Sequence, residues 1–418
     1  MRRINAGTKA LIVFALVVFF SGPTLAQQPS KKTHWVGSWA AAQQLPEPRN
    51  SLSSEDLQDA TLRQIVHLSL GGKLLRVHIS NAFGTAPMEF TSVHVAKAVA
   101  PDSSKIQPAT DKALMFSGSP SITVPAGAEY ISDAFEMPAP PFSDLAITLH
   151  LSAPPAQQTG HPGSRATSYL VHGNEVSAAD LPGAKKFDHW YWISGIDVAT
   201  DTSAGSVVTL GDSITDGHGA TTNGNDRWPD FFARRLQASQ ATKSIGVLNL
   251  GIGGNRLLLD GLGPNALARF DRDVLAQAGV RCVIVLEGVN DLGMLTHAAE
   301  VPKEQHEELV RGIIGAYQQI IERAHAHGIR VIGATILPYS GNGFYHPDQL
   351  NEEDRQTINQ WIRTPGHFDA VADLDKVTRD PKQPNRLLPE YDSGDHLHPS
   401  PAGYHRMADE VPLKLLAH

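Results

Sequence analysis

Two different spacings of apolar residues meet near residue 205, and this change of period constrains the fold more than any other feature of the chain. From Ser206 onward, short apolar runs alternate with segments of helical period. Residues 207–210 read as a strand, 229–238 as a helix with proline at its first position, and 245–250 as a second strand. A third strand over 280–286 is followed by a long helix over 304–327, closed by Gly328. Residues 329–336 give a fourth strand, 351–363 a helix, 370–374 a short fifth strand and 401–416 a terminal helix. That alternation specifies parallel βαβ units with helices on both faces of one sheet. In such sheets ligands bind beyond the carboxyl ends of the strands.

Before this point the pattern is different. Residues 33–200 read as short strands broken by Gly, Pro, Ser and Asn, with no long helical period. The clearest element is an alternating run over 65–70, then Gly71-Gly72, then a second run over 73–80, which predicts a β-hairpin. Further strands are expected over 92–99, 121–124, 145–151 and 190–193. An all-β sandwich-like domain is the natural reading of this half. The small, polar stretch 199–205 is expected to link it to a second domain over 206–418.

A chain of 418 residues fits two folded units. Its first 26 residues read as a signal peptide outside both: Arg2, Arg3 and Lys9 are a basic start, 10–20 an apolar core, and Thr24-Leu25-Ala26 a small-residue cleavage site. The apolar core is too short to span a bilayer, which needs about 20 residues, so secretion is expected without stable membrane insertion. No cysteine follows the cleavage site to carry a lipid. Loss of those three cations would make the formal net charge of −8 more negative still. With no basic face, nucleic acid is not an expected partner. Cys282 is the one cysteine, so no intrachain disulfide can form. It sits in a strand-like apolar run and reads as an inert core residue.

The chemistry-bearing residues fall in loops at the expected strand ends. The first strand runs into Gly211-Asp212-Ser213, the second into Gly251-Ile252-Gly253-Gly254-Asn255-Arg256, and the third into Gly288-Val289-Asn290-Asp291. A loop before the last helix carries Asp395-His396-Leu397-His398. The topology brings all four to one edge. No Gly-x-Ser-x-Gly occurs, which excludes the α/β-hydrolase elbow. No His/Cys/Asp/Glu grouping has zinc-ligand spacing, and His325-Ala326-His327 lies at a helix end where cations favour the dipole.

Taken in order, these four blocks resemble the SGNH, or GDSL, hydrolases over residues 206–416. The resemblance implies a flavodoxin-like three-layer α/β/α domain and hydrolysis of carboxylic esters through an acyl-serine. Carried over by position, it makes Ser213 the nucleophile and His398 its base, which agrees with the need of a serine hydroxyl for an adjacent imidazole. Asp395, three residues earlier, would fix the His398 tautomer across a single turn. The backbone N–H groups of Ser213 and Gly254 and the side-chain amide of Asn290 would form the oxyanion hole. Asp212 and Asp291 are expected to hold loops, and His396 and Arg256 to face solvent. No cofactor and no metal is implied.

His34-Trp35-Val36-Gly37-Ser38-Trp39, Ser80-Asn81-Ala82-Phe83-Gly84 and Trp190-Tyr191-Trp192-Ile193-Ser194-Gly195 look like the β-domain of secreted SGNH proteins similar to xylan-associated esterases. Trp35, Trp39, Trp190 and Trp192 are expected in packing, with an aromatic sugar platform as the alternative. The expected partner is a small-molecule or polysaccharide ester, with acetyl groups on carbohydrate favoured. A lipase or lysophospholipase, an acyltransferase, and a non-catalytic carbohydrate-binding protein are the alternatives.

Overall fold

The computed structural model describes residues 33–417, so the segment read as a signal peptide, 1–26, lies outside the described residues. Gly205–Gly211 is buried at all seven positions, as its unbroken apolar run requires of a strand covered on both faces. It is flanked in parallel by Ile245–Gly251 and Val280–Leu286, and Arg330–Ala334 and Ala370–Ala372 extend the sheet. The spatial order, second strand, first, third, fourth, fifth, is the flavodoxin-like one. Its switch point lies between the first and third strands, and the crossovers on either side of it run in opposite directions along the sheet, which puts helices on both faces where crossovers keep the usual right hand. Trp228–Gln237 packs on Pro401–Glu410, and Lys303–Ala326 packs on Gln349–Arg363.

Two helices differ from expectation. The terminal one stops at Glu410, six residues early, because Val411 precedes Pro412 and is driven to extended backbone (ψ 124°). Val289–Thr296 is helical where a loop was expected. Its turn is opened by Gly288 at φ 112°, so Asn290 sits in a helix's first turn.

The N-terminal half is mostly antiparallel sheet. Its six-stranded sheet is centred on Ala60–His67 and Asp144–Leu151, and its five-stranded sheet on Gly72–Ser80 and Ile193–Thr200. The expected hairpin does not form. Ala60–His67 pairs with Asp144–Leu151 and Ser168–His172, whereas Gly72–Ser80 pairs with strands of the other sheet. Gly71-Gly72 is therefore a crossing between sheets. Neither glycine has positive φ, and both are small because they are crowded: a Cβ on Gly71 would lie 2.7 Å from the Ala139 carbonyl, and one on Gly72 2.7 Å from Val198 Cβ.

The chain passes from the β half into the parallel sheet through residues 201–204 alone, since Ile193–Thr200 is strand to its end. The two halves also meet along an edge. Gly37 N donates to the Ala278 carbonyl (2.9 Å), and Ser69 Oγ both accepts from Val247 N (2.8 Å) and donates to Val247 O (3.0 Å). Val247 belongs to the edge strand Ile245–Gly251, so its outward backbone groups are paired instead of bare. Close approach here needs glycine, because a Cβ on Gly246 would stand 2.3 Å from the Gly37 carbonyl oxygen.

Candidate active site

The first strand ends in Asp212, whose side chain accepts the Ile214 amide (2.9 Å) and so starts the short helix Ser213–Asp216. Gly217 at φ 103° stops that helix after one turn. The result is a serine on a tight bend at the carboxyl end of the first strand, beside the switch point. Its Oγ lies 2.8 Å from His398 Nε2. His398 Nδ1 lies 2.5 Å from Asp395 Oδ2, while Asp395 Oδ1 accepts the amides of Leu397 (3.0 Å) and His398 (2.8 Å). One carboxylate thus folds the turn and orients the ring. Burial works to raise the Asp395 carboxyl, but the bonds from His398 outweigh it and hold the group well below the usual carboxylate range.

Ser213, Gly254, Asn290 and His398 line one cavity of about 690 Å³. Gly254 adopts φ 69°, which turns the loop after the second strand toward the serine without a side chain in the way. Asn290 is buried, and its Nδ2 donates to the Asn255 carbonyl (2.7 Å) while its Oδ1 accepts the Tyr345 hydroxyl (2.5 Å). A carboxamide carries two N–H donors. With one spent on Asn255 and the oxygen locked by Tyr345, the amide cannot flip, and the second N–H is left for the cavity. Tyr345 was not read from the sequence. Its ring packs on Gly293, where a Cβ would lie 2.3 Å from Tyr345 Cγ.

Behind the serine lies a polar core that the sequence reading also missed. Arg269 is wholly buried and donates to Leu250 O (2.6 Å), Gly211 O (3.0 Å), Asn255 Oδ1 (2.9 Å), Asp273 Oδ2 (2.9 Å) and Glu287 Oε1 (3.3 Å). It ties the ends of three strands and the glycine loop into one unit. Burial, with Asp291 and Asp216 adding, pushes the Asp212 carboxyl up to about 7, against its bond from Ile214 and the Arg269 charge. Burial likewise raises Glu287 well above its ordinary value. Asp291 accepts the amides of Leu257 (2.9 Å) and Leu258 (3.1 Å) and is pushed by burial up to about 6. Asp212 and Asp291 therefore hold loops, as expected.

Other expectations fare differently. His396 is exposed but not free: its Nδ1 bonds Asp392 Oδ2 at 2.6 Å, and its ring borders the cavity. Arg256 is half-buried and binds the Asp260 carbonyl, away from the serine. Trp39, Trp190 and Trp192 are buried, Trp39 and Trp190 meeting edge to face at 4.9 Å, so these three give no open platform. Trp35 lies under Arg76. Cys282 is a buried core residue whose thiol is pushed up to about 12 by burial.

Residues 209–406 match the model of the GDSL-like lipase/acylhydrolase family. This chain carries a GDSL hydrolase domain. The GDSL domain places the protein among carboxylic ester hydrolases. No curated protein matches it in sequence. Similar solved structures include a GDSL-like lipase from Bacteroides thetaiotaomicron, 21% identical, covering 50% of this chain and 87% of that one at a TM-score of 0.37. An acetylxylan esterase from Geobacillus stearothermophilus, solved as a catalytic mutant, is 20% identical over 51% of this chain and 94% of that one, with a TM-score of 0.37. A further acetyl xylan esterase is 21% identical over 49% and 96%, with a TM-score of 0.36. The β half before residue 209 lies outside the family match.

Proposed function

We propose that this protein is a serine esterase that removes short acyl groups, acetyl above all, from a carbohydrate or small-molecule alcohol. The observation that carries the reading is the relay from Ser213 Oγ to His398 (2.8 Å) to Asp395 (2.5 Å), opening on a cavity that Gly254 and Asn290 also line. In this reading His398 Nε2 takes the hydroxyl proton as Ser213 Oγ bonds to the ester carbonyl carbon. The tetrahedral oxyanion is held by the amides of Ser213 and Gly254 and by the second N–H of Asn290. Collapse expels the alcohol, which takes the proton from His398, and leaves an acyl-serine. Water then repeats the sequence and releases the acid. Asp395 keeps the His398 Nδ1–H in place and offsets the imidazolium charge.

Export belongs to the same reading and rests on the basic start, apolar core and Thr24-Leu25-Ala26 of residues 1–26. The cavity mouth carries exposed Phe344, its ring centroid 4.3 Å from that of His297 and inclined to it by 31°, an aromatic surface suited to a sugar ring. One observation favours a longer acyl chain instead. A groove of about 750 Å³, reached past Asp291 beside Asn290, has Leu258, Leu259, Met294, Leu295 and Leu309 in its lining together with Arg256, Gln305 and Glu308. A chain-length series of p-nitrophenyl esters separates the two, with acetate or propionate expected to give the highest kcat/KM and a maximum at octanoate or beyond assigning the groove to the acyl chain. Full activity in Ser213→Ala, or failure of a fluorophosphonate to label Ser213, would overturn the serine mechanism.

A further inference from the structure

His218 touches His398 but has no part in the scheme above. It follows Ser213 by five residues, and its own amide donates to the Ser213 carbonyl at 2.9 Å. Its carbonyl accepts the Tyr404 hydroxyl (2.5 Å), so the backbone is held from both sides. The ring centroids of His218 and His398 are 4.0 Å apart, with planes inclined by 37°. His218 Nδ1 lies 3.1 Å from a guanidinium nitrogen of Arg165, and its Nε2 lies 3.9 Å from Asp395 Oδ2.

Arg165 comes from the β half, outside the family match. It stands at φ 48°, in the left-handed region, and its carbonyl accepts the Asn223 amide (2.8 Å), while Asn223 Oδ1 accepts the Thr167 amide (2.7 Å). A bent loop of the first half is thereby fastened to the segment that follows Ser213.

A guanidinium is a donor at every nitrogen and keeps its charge. The His218 nitrogen that faces it must accept, so the single ring proton sits on Nε2, turned toward Asp395. Ligand atoms of His218, Asp395 and His398 lie within 4.8 Å of one another, yet this tautomer aims an N–H and not a lone pair at the carboxylate. With the His218 N–H facing the carboxylate at 3.9 Å and His398 already bonded to it, the cluster does not read as a cation site.

We infer that Arg165 is a positioning residue for the reaction: by occupying the Nδ1 lone pair of His218 it keeps that ring uncharged, so that His398 can take up the proton of Ser213 without a second imidazolium against it. The inference rests on His398 being the base. Like charges at stacking distance would cut the proton affinity of His398 by about tenfold or more. The charged groups facing His218 are Arg165, His398, Asp395 and Asp216. Partial burial, then the charges of His398 and Arg165, bring His218 down to about 4 against the pull of Asp395 and Asp216. Without Arg165 the Nδ1 lone pair is free to take a proton and one of the three effects that hold His218 down is gone, so its titration moves up.

Histidine titration by NMR on the full-length Ser213→Ala protein tests this without reference to turnover, with His218→Gln assigning the signal. His218 should stay neutral, with Nδ1 unprotonated, down to about pH 5, and in Arg165→Met its titration should move up toward the ordinary value of about 6.5. Arg165→Lys, which keeps a cationic donor, should stay close to the parent. In the active enzyme, log kcat against pH, normalised to each variant's own plateau, should fall with a one-proton slope. Arg165→Met should steepen it toward two protons, and adding His218→Gln should restore it. An Arg165→Met protein whose His218 does not shift and whose normalised profile overlays the parent overturns the proposal. Activity surviving in Ser213→Ala or His398→Ala would remove the serine reading itself, while the NMR arm would still decide the tautomer.

Discussion

At the scale of single residues, the two ends of one carboxamide can be tested against each other. If the free N–H of Asn290 binds the oxyanion, Asn290→Ala should lower kcat by about 100- to 1,000-fold, roughly 3 to 4 kcal/mol, with little change in KM. Tyr345→Phe keeps the ring over Gly293 and removes only the bond to Asn290 Oδ1 (2.5 Å). It should cost about tenfold or less in kcat, the worth of one orienting hydrogen bond. An equal loss in both variants would mean that Tyr345 itself meets the substrate. Ser213, Gly254, Asn290, Asp395 and His398 were named through the family resemblance, which their short local motifs carry, and the structure brings all five to one cavity. Tyr345 was not legible in the sequence, because its bond to Asn290 spans 55 positions and exists only once the loop folds over helix Val289–Thr296. Arg165 and Arg269 were hidden for much the same reason: apart from the Arg269–Asp273 pair, their partners, a ring, backbone carbonyls and side chains of other loops, are brought near by the fold and not by the local sequence.

Elements impose a stricter geometry than the pattern of their side chains suggests. Gly211 closes the first strand, and a Cβ there would lie 2.1 Å from Thr215 Oγ1 and 2.8 Å from the Leu286 carbonyl oxygen. The second of these is backbone of the neighbouring strand and cannot give way. Gly211→Ala should therefore cost about 1 to 3 kcal/mol of stability by overpacking, measured by urea denaturation, and should lose activity out of proportion because Ser213 shifts with it. Unchanged kcat in that variant would show that the bend tolerates displacement. The parallel sheet with helices on both faces was readable because hydrophobic runs of strand and helix length alternate, while its flavodoxin-like order followed only from the family resemblance. The Gly71-Gly72 crossing was misread for a physical reason. Two alternating runs around a glycine pair look alike whether the glycines make a hairpin turn or relieve crowding at a crossing between sheets, and only the partners of each strand distinguish them.

For the whole molecule the question is what couples the two halves and how pH acts on the result. His161, from the β half, has Nδ1 2.8 Å from the Ala42 carbonyl and Nε2 2.8 Å from Asp216 Oδ1, in the helix that Ser213 opens. Both side chains of this pair are almost wholly buried. His161→Ala would strand the Asp216 carboxylate, so it should destabilise by about 3 to 5 kcal/mol, with His161→Ala/Asp216→Ala losing less than the sum of the singles. Strict additivity would deny the coupling. The pH response follows from groups of opposite sign. Asp212 is raised to about 7 and Asp291 to about 6, chiefly by burial, so their contribution is complete below about 4 and is lost as pH rises through those values. Burial opposes the charge on His78, but its bonds to Asp197 and Glu129 outweigh this and raise it to about 9. Its contribution is complete below about 6.5 and is lost toward 9. Asp395, Asp197 and Glu129 are lowered by their histidine bonds in spite of burial, so their contribution is present above about 4 and is lost below it. The three windows leave a maximum in weakly acidic solution. The melting temperature should peak near pH 4 to 5 and fall toward pH 9. Asp212→Asn, whose amide oxygen can still accept the Ile214 N–H, should flatten the stretch from about 4 to 7, and His78→Gln the stretch from about 6.5 to 9. A melting temperature that climbs steadily from pH 5 to pH 8 would mean that the buried acids behind Ser213 are ionised at little cost, and that Arg269 neutralises them more fully than its single bond to Glu287 suggests.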